Sequence, residues 1–297
     1  MIQKTKRKII FGTDWWTDTD DCVALRLLCN AHKRGEITLT GVVIDACMEA
    51  SAPSVSAFLD NEGVPLPIGI DHAATDFEGT PIYQYEQVKF PHTVQSNDEC
   101  EDGVRMYRKL LVQNDICDIV EVGFPQVLAD LLESKGDDIS PLDGVALVRC
   151  HVRKLWIMAG DWSKDGGSEH NFNNNARSRR GGSILCKKWP TPITFLGWEI
   201  GHSVITGARK QDPEDILRRT MVVRGFENGR CSWDPMTALM AVVGDEAEAG
   251  YKYVVGKAKV DEETGKNYFS ETAGRLHRYV IKTKPDEWYA DRIEEYL

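Results

Sequence analysis

The stretch KIIFGTDWWTDTDDCVALRLLCN, residues 8–30, decides how the rest of the chain is read. A short apolar run, Ile9, Ile10 and Phe11, gives way to four aspartates within eight residues: Asp14, Asp18, Asp20 and Asp21. Cys22, Val23, Ala24, Leu25, Leu27 and Leu28 then return at helical spacing. That order predicts a strand, an acidic loop and a helix. In an open α/β sheet, the loop at a strand's carboxyl end is where ligands bind.

Four carboxylates this close repel one another unless they take up protons, meet a positive charge or share a cation. The positive end of the following helix helps Asp20 and Asp21 by only ~0.3–1 kcal/mol each. A hard divalent cation such as Ca²⁺, which takes oxygen ligands in irregular geometry, is the more complete answer. Asp18 taken alone reads as a helix cap, whereas Asp14 and Asp21 together point to a metal.

Working outward, residues 37–44 (ITLTGVVI) read as a second strand, residues 50–59 as a helix and residues 67–70 as a third strand. Residues 71–102 are irregular, and a loop of that length inside a compact domain is more often functional or mobile than accidental. Helical spacing resumes over 103–111, followed by a strand at 118–122 with a helix behind it, and further strands at 152–161 and 192–201. A helix is expected over 212–219, and Asp234 opens an apolar helix. Short strands around a turn and a helix over 286–297 close the chain. Strands alternating with helices imply a mostly parallel, open central sheet flanked by helices, in one α/β domain covering residues 1–297.

A net charge of −10 and a pI near 5.3 argue against nucleic acid or an acidic membrane as partner, since both are negative. No run approaches the ~18 apolar residues of a membrane span, and the N-terminal apolar run is too short for a signal-peptide core. The eight cysteines show no CxxC pairs, so buried thiols in a reducing cytoplasm are expected.

Two familiar acidic loops can be tested against the spacing. An EF-hand counted from Asp14 would need glycine and glutamate where Thr19 and Leu25 stand, so it fails. A haloacid dehalogenase-type phosphatase wants an aspartate pair directly after the strand, and Asp18-Thr19-Asp20 is displaced from it. GTDWWTDTDDCVAL instead resembles the opening of the inosine-uridine-preferring nucleoside hydrolases. That opening is a strand, DTDxG, a short spacer and DDA before an apolar helix, with a longer form DTDxGxDxDDA. Gly12, Trp16 and Cys22 replace the first aspartate, the glycine and the alanine.

The resemblance implies metal-dependent hydrolysis of the N-glycosidic bond of a ribonucleoside or related riboside, with one Ca²⁺ per chain and a homo-oligomer, dimer or tetramer. It implies Asp14 as catalytic base and metal ligand, Asp21 as bidentate ligand and Asp20 as a ribose contact. The Val122 carbonyl, before Gly123-Phe124-Pro125, and Asp234, before Pro235, would complete the metal site. Glu169-His170-Asn171 resembles the family's EFN segment, so Glu169 and Asn171 would hold ribose hydroxyls; a carboxylate and an amide two apart on an extended segment also suit a vicinal diol.

Three departures favour the alternative of a weakened ribosyl-ligand binding protein on the same fold. Trp16 sits in the motif, Asp45-Ala46-Cys47 replaces a sugar-contacting Gly-Asn, and Trp233 stands where relatives place a histidine. Without that histidine, His202 or His277 is the candidate for leaving-group acid. Trp15, Trp16 and Trp233 would form an aromatic wall for a base or other flat aglycone.

Overall fold

The computed structural model describes residues 6–209 and 211–297; residues 1–5, part of the basic N-terminal stretch, lie outside the described residues. The opening stretch folds as expected: β1 is Arg7–Thr13, and a helix runs Asp20–Lys33. Ile9 and Phe11 of β1 join the core on one face of the sheet and Ile10 the core on the other. Alternate residues of a strand point to opposite faces, so an unbroken apolar run means both faces are covered.

Eleven further strands follow: β2 (Ile37–Ile44), β3 (Ile68–Ile70), β4 (Glu101–Asp102), β5 (Cys117–Glu121), β6 (Val152–Met158), β7 (Ile193–Leu196), β8 (Ile205–Thr206), β9 (Arg230–Cys231), β10 (Tyr251–Val260), β11 (Asn267–Glu271) and β12 (His277–Lys282). Ten of the twelve form one sheet in the order β11-β10-β12-β7-β6-β5-β1-β2-β3-β4, while β8 and β9 pair separately. From β4 across to β12 every neighbouring pair is parallel; β10 alone is reversed, antiparallel to both of its neighbours, β12 and β11. This is a single α/β domain with a large, mostly parallel sheet.

The helices Asp20–Lys33, Ser51–Asn61, Ile216–Val223, Trp233–Val243 and Asp286–Glu294 cover one face. Gly103–Asn114, Gln126–Glu133, Gly144–His151 and Ala176–Lys188 cover the other. No helix among the described residues is long and apolar enough to cross a membrane.

The chain leaves β1 toward β2, β3 and β4, then returns to lay β5 along the opposite edge of β1. Strand order therefore reverses between β1 and β5. A crevice opens outside the carboxyl ends of strands at such a reversal.

Several local expectations change. The helix expected over 212–219 is Ile216–Val223, begun by Asp215, whose side chain accepts from the Arg218 N–H. Within residues 71–102 a short helix forms at Ile82–Gln87, and Gln84 donates to the Trp15 carbonyl at 2.5 Å, fastening this segment over the acidic loop. The helix Ala176–Lys188 was not expected. Asn175 caps it by accepting from the Ser178 N–H, and Gly181 lets it approach the start of Gln126–Glu133, where a Cβ would lie 2.8 Å from the Gln126 nitrogen.

Candidate active site

A cleft of about 310 Å³ lies at the reversal. The loop after β1 supplies Asp14, Trp16, Thr17 and Asp18, and the helix behind it Asp20 and Asp21. Val122 follows β5, Met158 ends β6, and Glu169 caps the short helix His170–Asn173, so Glu169 and Asn171 are not two apart on an extended segment as expected but lie at the cap and in the first turn. Trp198, Arg230, Trp233 and Asp234 close the far side. Of the residues singled out in the sequence, Asp14, Asp20, Asp21, Val122, Glu169, Asn171, Trp16, Trp233 and Asp234 line this cleft, and Trp15, His202 and His277 do not.

The carboxylates converge because two helices begin side by side. Asp20 and Asp21 lie in the first turn of Asp20–Lys33 and Asp234 in the first turn of Trp233–Val243, where the Asp234 N–H donates to Asp20 Oδ2 at 3.2 Å. Asp20, Asp21 and Asp234 each offer an oxygen within 4.8 Å of the others, and all three are buried. Asp14 stands beside this trio rather than within it, its Oδ1 accepting the Trp16 N–H at 3.1 Å. Thr13 donates its hydroxyl to Asp21 Oδ1, and the Trp15 N–H reaches the same oxygen at 3.4 Å.

Burial, with repulsion from neighbouring aspartates, raises Asp14, Asp20 and Asp234 well above the usual carboxylate range. Burial raises Asp21 to about 7 against the pull of Thr13. Among the described residues the one basic side chain lining the cleft besides His170 is Arg230, and it is turned to Asp18, with Nη2 2.6 Å from Oδ2. Buried oxygens crowded together without a positive partner fit a hard divalent cation.

The reading of Asp18 as a helix cap is corrected here. Thr19 holds the cap position without a side-chain capping bond, its hydroxyl donating to Met221 Sδ at 3.3 Å, and Asp18 is the counter-ion of Arg230, whose guanidinium also lies over the rings of Trp233 and Phe226.

On the opposite wall, Glu169 accepts the Asn171 N–H at 2.7 Å through Oε1 and the Gly160 N–H at 2.8 Å through Oε2; burial raises it to about 7. Asn171 donates Nδ2 to the carbonyls of both Val122 and Met158 at 2.9 Å. Its amide hydrogens are thereby committed to the backbone, so the group it retains for a ligand is Oδ1. The Val122 carbonyl already accepts one hydrogen bond, and its second lone pair remains for a cation.

The paired tryptophans part company. Trp15 is fully buried in the core, edge-on to Phe58 and Tyr83, with its indole N–H on Ser54 Oγ at 2.9 Å, so it is no part of an aromatic wall. Trp16 faces the cleft, stacked at 10° on His170 and packed against Phe77 and Phe124. Trp233 lines the other side and donates its indole N–H to the Trp198 carbonyl at 2.9 Å. Neither expected histidine reaches the cleft: His202 stacks on Trp198 outside it, and His277 accepts the Ala258 N–H at 3.0 Å within the sheet. Trp198, Arg230 and His170 were given no role from sequence.

Behind the cleft, Gly12 has a physical reason to stand in place of the aspartate of the related motif. A Cβ there would lie 2.2 Å from Glu121 Oε2, so a carboxylate from β5 fills that space. Glu121 accepts from Gly123 N–H at 3.0 Å and Tyr107 O–H at 3.2 Å, and pairs with Asp45. Two buried carboxyls bond only if they share a proton. Burial and Glu121 raise Asp45 well above its usual range, and burial raises Glu121 to about 7. Gly123 lets the loops meet, since its Cβ would lie 2.2 Å from the Asp14 nitrogen.

No family model and no curated protein sequence matches the chain. Among solved structures it is similar in fold to an inosine-guanosine nucleoside hydrolase (TM-score 0.72, 15% identity, 98% of each chain covered). It is also similar to the type III effector protein XopQ complexed with adenosine diphosphate ribose (TM-score 0.67, 15% identity, 99% of this chain and 94% of that one). A third is the effector protein XOO4466 (TM-score 0.65, 15% identity, 99% and 95%). The chain has the nucleoside hydrolase fold.

Proposed function

We propose that the protein hydrolyses the N-glycosidic bond of a ribonucleoside or related riboside, with a divalent cation, Ca²⁺, held by Asp14, Asp21, Asp234 and the Val122 carbonyl. The observation that carries this reading is the gathering of five buried carboxylates, Asp14, Asp20, Asp21, Asp234 and Glu169, around one cleft at the strand-order reversal. The similarity in fold to a nucleoside hydrolase supports it.

The cation, when bound, offsets the carboxylates' repulsion and acidifies nearby water. Asp14 takes the proton of the attacking water. Glu169 accepts a ribose hydroxyl with the lone pairs its backbone donors leave, and Asn171 does so with Oδ1. Asp20, a member of the carboxylate trio, holds a ribose hydroxyl or adds a ligand to the cation. Holding the sugar in this way turns binding into orientation of C1′ toward water, in a transition state of oxocarbenium character.

A second reading, a protein that holds a ribosyl ligand without cleaving it, is favoured by two observations. Asp45 faces Glu121 rather than offering an amide to the sugar, and Trp233 offers no transferable proton. One experiment separates the readings: a nucleoside panel with and without chelator, alongside metal analysis. Chelator-sensitive release of free base, with about one divalent ion per chain that Asp21→Ala loses, supports hydrolysis. Ligand binding with no base released supports the second reading.

A further inference from the structure

The departing base takes the electron pair of the broken C1′–N bond and needs a donor beside it. Of the seven histidines in the chain, His170 alone lines the cleft. The cleft's other nitrogen donors are nearly all committed. Asn171 Nδ2 is held by two carbonyls, Arg230 by Asp18, and the indoles of Trp16 and Trp233 by the carbonyls of Gly79 and Trp198. Besides the ring of His170, this leaves the indole of Trp198, which cannot recover a proton once given.

His170 is held in place on three sides. Its ring lies parallel to Trp16 with centroids 5.8 Å apart and leans on Phe124 at the same distance. Asn174, one turn along, sets its amide nitrogen 3.0 Å from Nε2. An amide N–H can only donate, so Nε2 accepts and the neutral ring carries its hydrogen on Nδ1. Nδ1 has no protein partner among the described residues. The segment also places His170 between Glu169 and Asn171, so a sugar held by those two leaves its base near the imidazole and the aromatic face of Trp16.

We infer that His170 is the leaving-group donor of this site, giving a hydrogen bond from Nδ1–H to the departing base while Trp16 and Phe124 hold the ring in place. The inference rests on the hydrolase reading above. In the step, water oxygen bonds to C1′, one water proton goes to Asp14, and the C1′–N electron pair goes to the base. The base, held by Nδ1–H, takes its proton directly from solvent, and Asp14 returns its own to solvent. Burial lowers the pKa of His170 below its ordinary value against the pull of Asp18, which keeps the ring a neutral donor at pH 7.

The test compares inosine, whose base leaves poorly, with a nitrophenyl riboside, whose leaving group needs no donor. His170→Phe keeps the stack and removes the N–H. It should lower kcat/KM on inosine on the order of 10²-fold and leave the nitrophenyl riboside within about twofold. Trp198→Phe should leave the ratio of the two substrates unchanged. An equal fall on both substrates in His170→Phe, no fall on either, or a ratio that moves with Trp198→Phe instead, overturns the role while the hydrolase reading stands. A wild-type protein that cleaves neither riboside overturns both.

Discussion

Strand β5 carries a buried carboxylate near each end, and the two live in opposite surroundings. At the amino end Asp118 is met by Arg153 on both oxygens and by the Trp156 indole N–H at 3.1 Å. At the carboxyl end Glu121 meets no cation among the described residues, only a tyrosine, a backbone N–H and a second carboxyl, Asp45. The contrast extends along both rims. On the amino side Glu246 is held by Lys154 at 2.5 Å, Thr194 at 2.7 Å and Arg278 at 3.3 Å, and Lys154 lies over the Trp156 ring. On the carboxyl side burial, then repulsion from neighbouring aspartates, raises Asp14, Asp20 and Asp234 well above the usual range, and burial raises Asp21 to about 7. One rim pairs its buried charge within the fold; the other leaves it to be completed by a ligand. A protein tolerates buried charge without partners mainly where function uses it.

Removing a charge should therefore have opposite consequences at the two rims. Asp14→Asn keeps an oxygen for the Trp16 N–H and removes the proton acceptor, so turnover should fall by about 10²–10⁴-fold. Measured in chelator, its thermal midpoint should not fall, because a repelled, desolvated charge has gone. A clear loss of stability in that variant would break the contrast.

At the other rim, Lys154→Met leaves Glu246 buried with a weaker set of partners. Breaking a buried pair costs about 3–5 kcal/mol, and the remaining Arg278 and Thr194 place this one at the lower end, about 3 kcal/mol. Turnover per folded molecule should not change. Denaturant unfolding alongside active-site titration reads both quantities.

The pH dependence of stability sharpens the comparison. Pocket carboxylates whose folded pKa is raised contribute stability at acid pH, and it is lost as pH rises through the folded values, about 7 for Asp21. Burial pushes Glu246 up, but Lys154 and Thr194 hold it below its ordinary value, so its contribution is present at neutral pH and lost as pH falls through that lowered value. In chelator, then, stability should rise as pH drops from 8 toward 5, by up to about 1.4 kcal/mol per pH unit for each proton bound on folding. Saturating Ca²⁺ should reverse that slope, since the ion binds the deprotonated form. Equal slopes with and without the ion would remove the cation from the site.

Much of this architecture is legible in the chain because its signals are local. The run Ile9-Ile10-Phe11 marks a strand covered on both faces, and the crowding of Asp14, Asp20 and Asp21 needs no neighbour to be noticed. What is hidden depends on residues distant in sequence. Asp18 reads as a cap until Arg230 is brought to it. The helix Ala176–Lys188 has little apolar periodicity and two adjacent glycines, and its support comes from packing on Gln126–Glu133 rather than from propensity. His170 passes as a spacer between two polar residues until Trp16 and Phe124 are seen around its ring.

Trp15 and Trp16 are the hardest case, since identical neighbours are sent to core and cleft. Trp15 takes φ 45°, a left-handed backbone that a bulky residue adopts only when its surroundings hold it there, at a cost of about 1–3 kcal/mol. Its N–H is shared between Thr13 Oγ1 and Asp21 Oδ1, and the contacts on its side chain and carbonyl are neutral: Ser54 on its indole, Phe58 and Tyr83 on its ring, Gln84 on its carbonyl. The charged loop is thus fastened by an uncharged anchor that belongs to neither rim. Ser54→Ala deletes one bond of that anchor and leaves a buried N–H without a partner, so stability should fall by about 1–2 kcal/mol. Because Trp15 separates Asp14 from Trp16, a loosened anchor should also weaken Ca²⁺ binding a few-fold, readable by calorimetry. A variant that loses stability with unchanged affinity for the ion would show that the carboxylates are positioned by their two helices alone.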